Sequence, residues 1–261
     1  MHEAIQMRFH VPIRRPGAAA RLLCFPHAGG AASAYGPWAR ALGDRPIEIA
    51  AAQLPGRGDD SHEPACADLD RIVDDLADAT APLADRPYAF FGHSLGALVA
   101  FELARRLRDR GNGGPAQLFV SGAFAPHIPS DTAPLRFIEG DTAFLEAVAA
   151  KYGGVPKIVL EQADLRNTLV PALRADLALT ETYTYRAAQR LTCPITAYAG
   201  ASDPIISEER LAAWREHTTG EFTCRLFAGH HFYLNRERDA LLADIIRRLF
   251  RTHGLDCPPA T

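Results

Sequence analysis

The chain has 261 residues, of which 48% are hydrophobic and 23% charged, and these values are typical of a folded globular protein. Its length suits one α/β domain with a substantial core. The formal net charge of −3 and the lack of a Lys/Arg cluster argue against a nucleic-acid partner. No run of 18 apolar residues is present, and residues 1–16 lack the apolar core of a signal peptide. We therefore expect a cytoplasmic protein with no membrane partner.

The five cysteines are scattered along the chain and form no C-x-x-C pair. An odd number without disulfide or zinc spacing is typical of reduced thiols in a cytosolic protein. The apolar runs around Cys24, Cys193 and Cys224 predict that these three are small core residues. The sequence shows no metal-ligand spacing, so we expect no metal site.

Strand-like and helix-like segments alternate along most of the chain. Apolar runs predict strands at residues 21–25, 47–54, 88–91, 117–121, 195–199 and 222–227. Helical periodicity predicts helices at residues 35–42, 69–83, 95–110 and around 241–250. This alternation predicts an α/β fold with a mainly parallel central sheet and helices on both faces. Sites in such sheets form at the carboxyl ends of the strands.

The sequence Gly-His-Ser-Leu-Gly at residues 92–96 lies between a predicted strand and a predicted helix. Strand, G-x-S-x-G and helix in this order form the nucleophile elbow of α/β-hydrolases. The sharp turn exposes the serine at the amino end of a helix, where free N–H groups favour negative charge. Ser94 is therefore the predicted nucleophile. The alternative is a Gly/Ser-rich turn in an ordinary strand–helix unit.

One stretch, approximately residues 125–186, contains helical segments and no convincing strand. Asp141 is placed to cap a helix over residues 142–152, and two further helical segments are predicted on either side of Pro171. A helical insertion beside the site of a hydrolase sheet is a natural lid. The alternative is a larger helical connection that covers one sheet edge. We expect a single α/β-hydrolase domain over residues 1–261 that carries this insertion as a lid.

A serine nucleophile needs a histidine to take its proton and a carboxylate to orient that histidine. In α/β-hydrolases the chain order is Ser, then Asp or Glu, then His, each after a strand. Asp203 follows the predicted strand at residues 195–199 and a tight turn. His231 lies between the last predicted strand and the terminal helix. These two residues are the predicted partners of the serine.

Other residues compete for these roles. His230 adjoins His231, and the residues alone favour His231, beside aromatic Phe232, without excluding its neighbour. The remaining candidates are expected to be structural histidines or carboxylates on solvated helix faces: His27, His93, Asp176, Glu208 and Glu209.

The oxyanion of a tetrahedral intermediate needs two preorganised N–H donors, each worth roughly 3 kcal/mol of the barrier. The backbone N–H of Leu95, directly after the nucleophile, is one predicted donor. The other is expected in the loop after an early strand, where Ala28 lies within His-Ala-Gly-Gly at residues 27–30.

Taken together, these residues resemble the free-standing type II thioesterases that accompany polyketide and nonribosomal peptide synthases. The resemblance spans about residues 21–250. It rests on F-P-H-A-G-G at 25–30, Q-L-P-G-R at 53–57, F-G-H-S-L-G at 91–96, L-R-A-D at 173–176 and L-F-A-G-H-H-F at 226–232. The family usually has Gly-Gly-His-Phe in the last motif, so His230 replaces a glycine and His231 aligns with the catalytic base.

The resemblance implies hydrolysis of acyl thioesters from the phosphopantetheine arm of acyl or peptidyl carrier proteins, without a metal or organic cofactor. Such enzymes remove aberrant or stalled acyl groups. Ser94 would attack the thioester carbonyl, with His231 as base and Asp203 orienting it. The amides of Leu95 and Ala28 would hold the oxyanion.

Carrier proteins tend to be acidic, so arginines near the pocket mouth are candidates for docking, Arg57 among them. The acyl preference is not predicted, because Phe137, Phe144 and Leu177 suit both lid packing and a pocket wall. Nothing in the sequence indicates an interface between copies of the chain, and we expect a monomer.

Three other functions remain open. A carboxylesterase or lipase acting on small oxygen esters would use the same triad and the same intermediate. A product-releasing thioesterase, including one that cyclises its product, is disfavoured because no carrier domain is attached. A non-catalytic binding module is disfavoured by the complete set of Ser94, Asp203 and His231.

Overall fold

The computed structural model describes residues 8–253. Within this part of the chain, seven strands form one sheet in the order β1-β3-β2-β4-β5-β6-β7. The strands are β1 (Arg8–His10), β2 (Ala20–Phe25), β3 (Ile47–Gln53), β4 (Tyr88–His93), β5 (Leu118–Ser121), β6 (Ile195–Gly200) and β7 (Phe222–Phe227). Strands β2 to β7 are parallel, and β1 pairs antiparallel with β3.

The helices pack on both sides of this sheet. They are α1 (Gly36–Ala41), α2 (Leu69–Thr80), α3 (Leu95–Asp109), α4 (Asp141–Tyr152), α5 (Lys157–Glu161), α6 (Ala163–Glu181), α7 (Glu208–Ala212) and α8 (Arg238–His253). One core cluster joins the sheet to α2 and α3, and a second joins it to α1 and α8. The predicted α/β class, a mainly parallel sheet with helices on both faces, is confirmed.

Strand β2 shows why the central strands are continuous apolar runs. Leu23 and Phe25 belong to the cluster with α2 and α3, whereas Leu22 and Cys24 belong to the cluster with α1 and α8. Successive side chains of a strand point to opposite faces, and here both faces are covered by helices. All six residues of β2 are therefore buried.

Strand β1 was not predicted from the sequence. It has three residues, which is too short for a periodic signal, and the register that pairs Phe9 with Ala52 is set by tertiary contact. Strand β4 also continues to His93, beyond the predicted end at residue 91. The elbow serine therefore follows the last residue of the strand directly.

Between β5 and β6 the chain forms what we call the helical region, residues 125–186, which contains α4, α5 and α6. The structure assigns no strand within it, as predicted. It has an apolar cluster of its own, which includes Phe144, Val148, Leu173 and Leu177. This cluster is separate from the two that cover the sheet, and Leu179 of α6 joins the helical region to the cluster with α2 and α3.

Two local predictions in the helical region were wrong. Asp141 is the first residue of α4 and not its cap, because Gly140 takes the cap position with a φ of 77°. Pro171 lies inside α6, and the break between helices falls at Gln162. A proline removes one intrahelical hydrogen bond, and burial of Leu173 and its neighbours offsets that loss.

Four cysteines lie among the described residues as free thiols, and Cys257 lies outside them. Cys24 is buried as predicted, whereas Cys193 and Cys224 are partly exposed at the edge of the core. None of the helices in residues 8–253 is long and apolar enough to span a bilayer.

Candidate active site

Ser94 lies in a strained turn between β4 and α3. It has φ 55° and ψ −118° and is the one non-glycine residue with positive φ in the described chain. Such a conformation costs about 1–3 kcal/mol and persists only where the surroundings enforce it. The Ser94 N–H donates to the Ser121 carbonyl oxygen at 2.8 Å, which fixes the turn to the end of β5.

Gly92 and Gly96 allow this turn to form. A Cβ atom on Gly92 would lie 2.0 Å from the Gly96 carbonyl oxygen, and one on Gly96 would lie 2.0 Å from the Phe25 carbonyl oxygen. Both clashes are with backbone, which has no flexible end that could move aside. Gly92 is thus required by contact within the elbow, and Gly96 is required by contact between the elbow and the end of β2.

Asp203 and His231 are joined by a buried hydrogen bond. The His231 Nδ1 lies 2.8 Å from the Asp203 Oδ2, and the two residues are 9% and 1% exposed. The other carboxylate oxygen accepts the Ile205 N–H at 2.9 Å. Because a carboxylate only accepts, Nδ1 carries the proton, and Nε2 is left free to accept another.

The loops that carry these two residues follow β6 and β7 and are hydrogen-bonded to each other. The Ser202 N–H donates to the Gly229 carbonyl oxygen at 2.9 Å. The His230 Nδ1 lies 2.8 Å from the Ser202 carbonyl oxygen, so the exposed His230 ring faces that loop. The structure thus separates the two adjacent histidines, since only His231 contacts Asp203.

Ser94 and His231 line one cavity of about 1140 Å³, which the helical region covers. Among the described residues, the Ser94 hydroxyl has no hydrogen-bond partner, and its bond to His231 is not formed. Such bonds are often long without substrate and shorten in the reacting complex. Ser94 therefore lies at the same cavity as His231, which Asp203 holds from its other side. The hydrogen bond that remains to be formed is the one between Ser94 and His231.

The two predicted oxyanion donors also line this cavity. Leu95 is the first residue of α3, where backbone N–H groups have no acceptor within the helix. Ala28 lies in the loop after β2, and its N–H has no acceptor in the described part of the chain. The next N–H, that of Gly29, donates to the Asp176 Oδ2 at 2.7 Å.

Two further histidines, His93 and His27, lie near His231. Burial, followed by the nearby His231, lowers the pKa of His93 well below its ordinary value. Burial also lowers the pKa of His27 to about 4, with smaller contributions from His231 and Arg57. The His93 Nδ1 lies 2.9 Å from the Ser121 Oγ, which agrees with the predicted structural position. His27 differs in that it lines the cavity.

Asp176 and Arg57 are both more buried than predicted. Asp176 was expected on a solvated helix face but is fully buried. Arg57 was expected near the pocket mouth, and it lines the cavity but is only 5% exposed. The Arg57 Nη2 donates to the Asp176 Oδ1 at 2.7 Å, and Nη1 donates to Oδ2. Charged side chains are buried where an opposite charge pairs with them. The sequence around Asp176 does not indicate that Arg57 is its partner, and the sequence around Arg57 does not indicate Asp176. Arg57 lies in the motif at residues 53–57 and Asp176 in the motif at residues 173–176, and both motifs support the family resemblance. This was the sequence signal that could have identified them as functional residues.

The carboxylates Glu208 and Glu209 are exposed at the start of α7, as predicted. Phe144 is buried inside the helical region, and Leu177 lines the cavity. Phe137 is 70% exposed, so it neither packs inside the helical region nor forms a wall of the cavity.

The end of α4 and the turn that follows it contact His231 and Phe232, and no sequence motif indicated this contact. The Tyr152 ring lies 5.3 Å from the His231 ring, centroid to centroid, and burial raises the pKa of Tyr152 to about 12. A Cβ atom on Gly154 would lie 2.3 Å from the Phe232 ring, which packs edge-on against His231. The helical region therefore closes directly over the histidine.

Residues 8–253 contain no cluster of three or more His, Cys, Asp or Glu side chains that could hold a metal ion. The expectation that the protein needs no cofactor stays a prediction.

The comparisons with known proteins agree with this geometry. The family model described as "Thioesterase domain" matches residues 20–249. Gramicidin S biosynthesis protein GrsT of Aneurinibacillus migulanus is 38% identical over 229 residues, which is 88% of each chain. Thioesterase PikA5 of Streptomyces venezuelae is 39% identical over 250 residues, 95% of this chain and 86% of that one.

The solved structures extend this likeness to the fold. The type II thioesterase BorB from the borrelidin biosynthetic cluster superposes with a TM-score of 0.83 at 36% identity. The match covers 93% of this chain and 97% of that one. The resemblance to type II thioesterases that the motifs indicated is thus confirmed. The chain belongs to the thioesterase domain family and is an enzyme with the α/β-hydrolase fold.

Proposed function

We propose that this protein hydrolyses acyl thioesters on the phosphopantetheine arms of carrier proteins and so removes aberrant or stalled acyl groups in polyketide or nonribosomal peptide synthesis. The observation that carries this proposal is the Asp203–His231 hydrogen bond, which lies beside the strained Ser94 turn at one large cavity. The relatives support the pathway, since they are named for gramicidin S biosynthesis and for the borrelidin cluster.

In the acylation step, the His231 Nε2 takes the hydroxyl proton of Ser94 as its Oγ attacks the thioester carbonyl carbon. The carbonyl π electrons move to oxygen, and the Leu95 and Ala28 amides donate to that oxyanion. The imidazolium that forms is stabilised by the Asp203 carboxylate at 2.8 Å. Collapse of the intermediate breaks the C–S bond, and the pantetheine sulfur takes the proton from His231.

Deacylation repeats these moves with water. His231 takes a proton from a water molecule whose oxygen attacks the acyl carbon of the Ser94 ester. The same two amides hold the second oxyanion. When that intermediate collapses, the Ser94 oxygen leaves with the proton from His231, and the carboxylic acid is released. Every group in this cycle belongs to the chain, the substrate or water.

The helical region has the role of a lid in this proposal, and residues 1–261 act as one domain. In the helical region, Tyr152 at the end of α4 lies against His231, and Asp176 of α6 binds the loop that carries Ala28. A cover at this position excludes bulk water, which strengthens the electrostatic interactions with the oxyanion. We also expect the enzyme to work in the cytoplasm as a monomer.

The proposal is tested with a short acyl group loaded on a phosphopantetheinylated carrier protein. Ser94→Ala should lower kcat by at least about 10³-fold, because the triad acts as a unit. Ser61→Ala is the matched control, since Ser61 is an exposed turn residue. Its activity should equal that of the wild type.

Each outcome has a clear meaning. Rapid release by the wild type that Ser94→Ala abolishes supports the carrier-protein thioesterase. Rapid cleavage of simple oxygen esters without release from any loaded carrier would instead identify an esterase. A chain that fails to react with a serine-directed phosphonate would point to a non-catalytic binding module.

A further inference from the structure

A carboxylate on the helical region holds the loop that carries one of the two oxyanion donors. Asp176 belongs to α6 and is fully buried. Its Oδ2 accepts the N–H of Gly29 at 2.7 Å across 147 residues of sequence. Gly29 follows Ala28 directly, so this bond fixes the peptide next to the donor amide. Gly29 has a φ of 73°, which few other residues could adopt in its place.

Arg57 completes the attachment from a second side. Its guanidinium donates to both oxygens of Asp176, and its Nη1 also reaches the Gly30 carbonyl oxygen at 3.4 Å. The Gln53 Oε1 accepts the Ala32 N–H at 2.9 Å. The loop after β2 is therefore held at Gly29, Gly30 and Ala32 by buried side chains.

From this arrangement we infer that Asp176 is a positioning residue, which aims the Ala28 N–H at the developing oxyanion and so makes α6 part of the catalytic framework. The inference rests on the proposed role of the Ser94 site. An oxyanion donor acts only if it is held in place before charge develops. Without the Asp176 acceptor, the Gly29 peptide can rotate, and the neighbouring Ala28 N–H moves with it.

Stability alone does not account for this buried pair. Replacing a buried ion pair by apolar side chains of similar volume is often neutral or stabilising, because desolvation offsets the attraction between the charges. An apolar pair would therefore fill the same space with little loss of packing. It would not supply an acceptor for the Gly29 N–H, and the loss of that hydrogen bond lowers stability slightly.

Asp176→Asn is the first test, because it keeps the shape and removes the charge. The carboxylate uses both oxygens as acceptors, whereas the amide has one oxygen and an NH2 donor. The NH2 group must therefore face the Gly29 N–H or the Arg57 guanidinium, and at least one of these hydrogen bonds is lost. We expect kcat to fall about 10- to 100-fold, less than complete loss of a donor, while KM stays within about threefold. Asp164→Asn is the matched control on the same helix, since Asp164 is an exposed carboxylate in the first turn of α6. Its kcat should equal that of the wild type.

The double variant Arg57→Met with Asp176→Leu separates positioning from folding. It should keep the thermal midpoint near that of the wild type, since the pair is replaced by apolar groups. It should nevertheless show the loss of kcat. This variant also covers the case in which Asp176→Asn does not fold.

A transition-state probe gives a readout that a purely structural role would not change. An acyl trifluoromethyl ketone forms a tetrahedral oxyanion adduct with the serine, whereas the corresponding alcohol cannot. In Asp176→Asn, the Ki of the ketone should rise by the same factor as kcat falls, with the Ki of the alcohol unchanged. Equal weakening of both inhibitors, or wild-type kcat in a folded double variant, would overturn the inference.

The measurements use a loaded carrier and an acyl-N-acetylcysteamine thioester in parallel. If the loaded carrier is not cleaved but the small thioester is, the proposed partner fails and the Asp176 comparison still stands. If both are cleaved and Asp176→Asn matches Asp164→Asn on each, the positioning role fails and the proposed function stands.

Discussion

The cavity is formed by two regions that are assembled in different ways. The sheet edge, made of the elbow and the loops after β6 and β7, is held by strand register and backbone hydrogen bonds. The helical region is held by side chains, through its apolar cluster and the buried Asp176. The first region places Ser94 and His231, whereas the second covers them.

The sequence separations differ in the same way. The Asp203–His231 bond spans 28 residues, whereas the bonds of Asp176 to Arg57 and to Gly29 span 119 and 147. A parallel sheet brings consecutive strand ends together by its own geometry. A helical layer has no such register, so its contacts depend on individual side chains. We therefore expect changes at the sheet edge to be the more severe.

Gly96→Ala should have the largest effect. The added Cβ would lie 2.0 Å from the Phe25 carbonyl oxygen, where no flexible atom can move away. We expect at least about 3 kcal/mol of destabilisation, measured by urea unfolding, or no folded protein. Gly114→Ala is the control, since nothing lies within 4 Å of its Cβ position. A stable Gly96→Ala enzyme would contradict the idea that backbone contact sets the sheet edge.

Asp203→Asn should leave the fold intact and lower kcat by about 10³- to 10⁴-fold. The amide can donate to the His231 Nδ1, which would hold the imidazole in the wrong tautomer. Steady-state kinetics on the loaded carrier measure this loss. Glu208→Gln, an exposed carboxylate at the start of α7, should stay within about twofold of the wild type. Equal activities would remove Asp203 from the triad.

Gly154→Ala tests the contact between the two regions. Gly153 and Gly154 have φ values of 71° and 77°, so alanine is strained at both positions. Only at Gly154 would the methyl group meet the Phe232 ring, at 2.3 Å. Gly153→Ala is therefore the matched control. We expect kcat to fall about tenfold in Gly154→Ala and not in Gly153→Ala, with similar thermal midpoints for the two variants. Equal kcat values would show that the helical region does not influence the base.

A small effect of pH on stability is expected at His217, whose ring packs against Phe101 of α3. Burial, followed by the nearby His127, lowers the pKa of His217 from its ordinary 6.5 to about 4. The unfolded chain then binds more protons between these values, so stability is full above pH 6.5 and falls toward pH 4. We expect a loss of about 1 kcal/mol from pH 7 to pH 5 after solvent screening.

Urea unfolding at several pH values measures this slope. His217→Gln should flatten it, whereas His62→Gln, at an exposed turn, should not. An unchanged slope in His217→Gln would assign the acid sensitivity to other groups.

The sequence was most informative where local chemistry is sufficient. The elbow is a contiguous pattern, and a Cβ atom on either of its glycines would clash with backbone. Strand order alone located the candidate Asp203 and the adjacent pair His230 and His231. The residues by themselves did not separate His230 from His231, because that choice depends on which ring faces the next loop.

The errors fall where distant segments meet. Asp176 was expected on a solvated helix face, and Arg57 was expected near the pocket mouth as a docking residue. Each is buried because it neutralises the other. Pro171 was expected to end a helix, but packing in the helical region maintains it through that residue.

By itself, the sequence determined the α/β class, the elbow and the order of the three triad candidates, because periodicity and short motifs report on backbone geometry close in the chain. Only the tertiary structure decided which charges are buried, that α6 binds the loop carrying Ala28, and that Tyr152 lies over His231. The physical reason is that burying a charge or an aromatic ring depends on its partner. In this fold those partners lie up to 147 residues away.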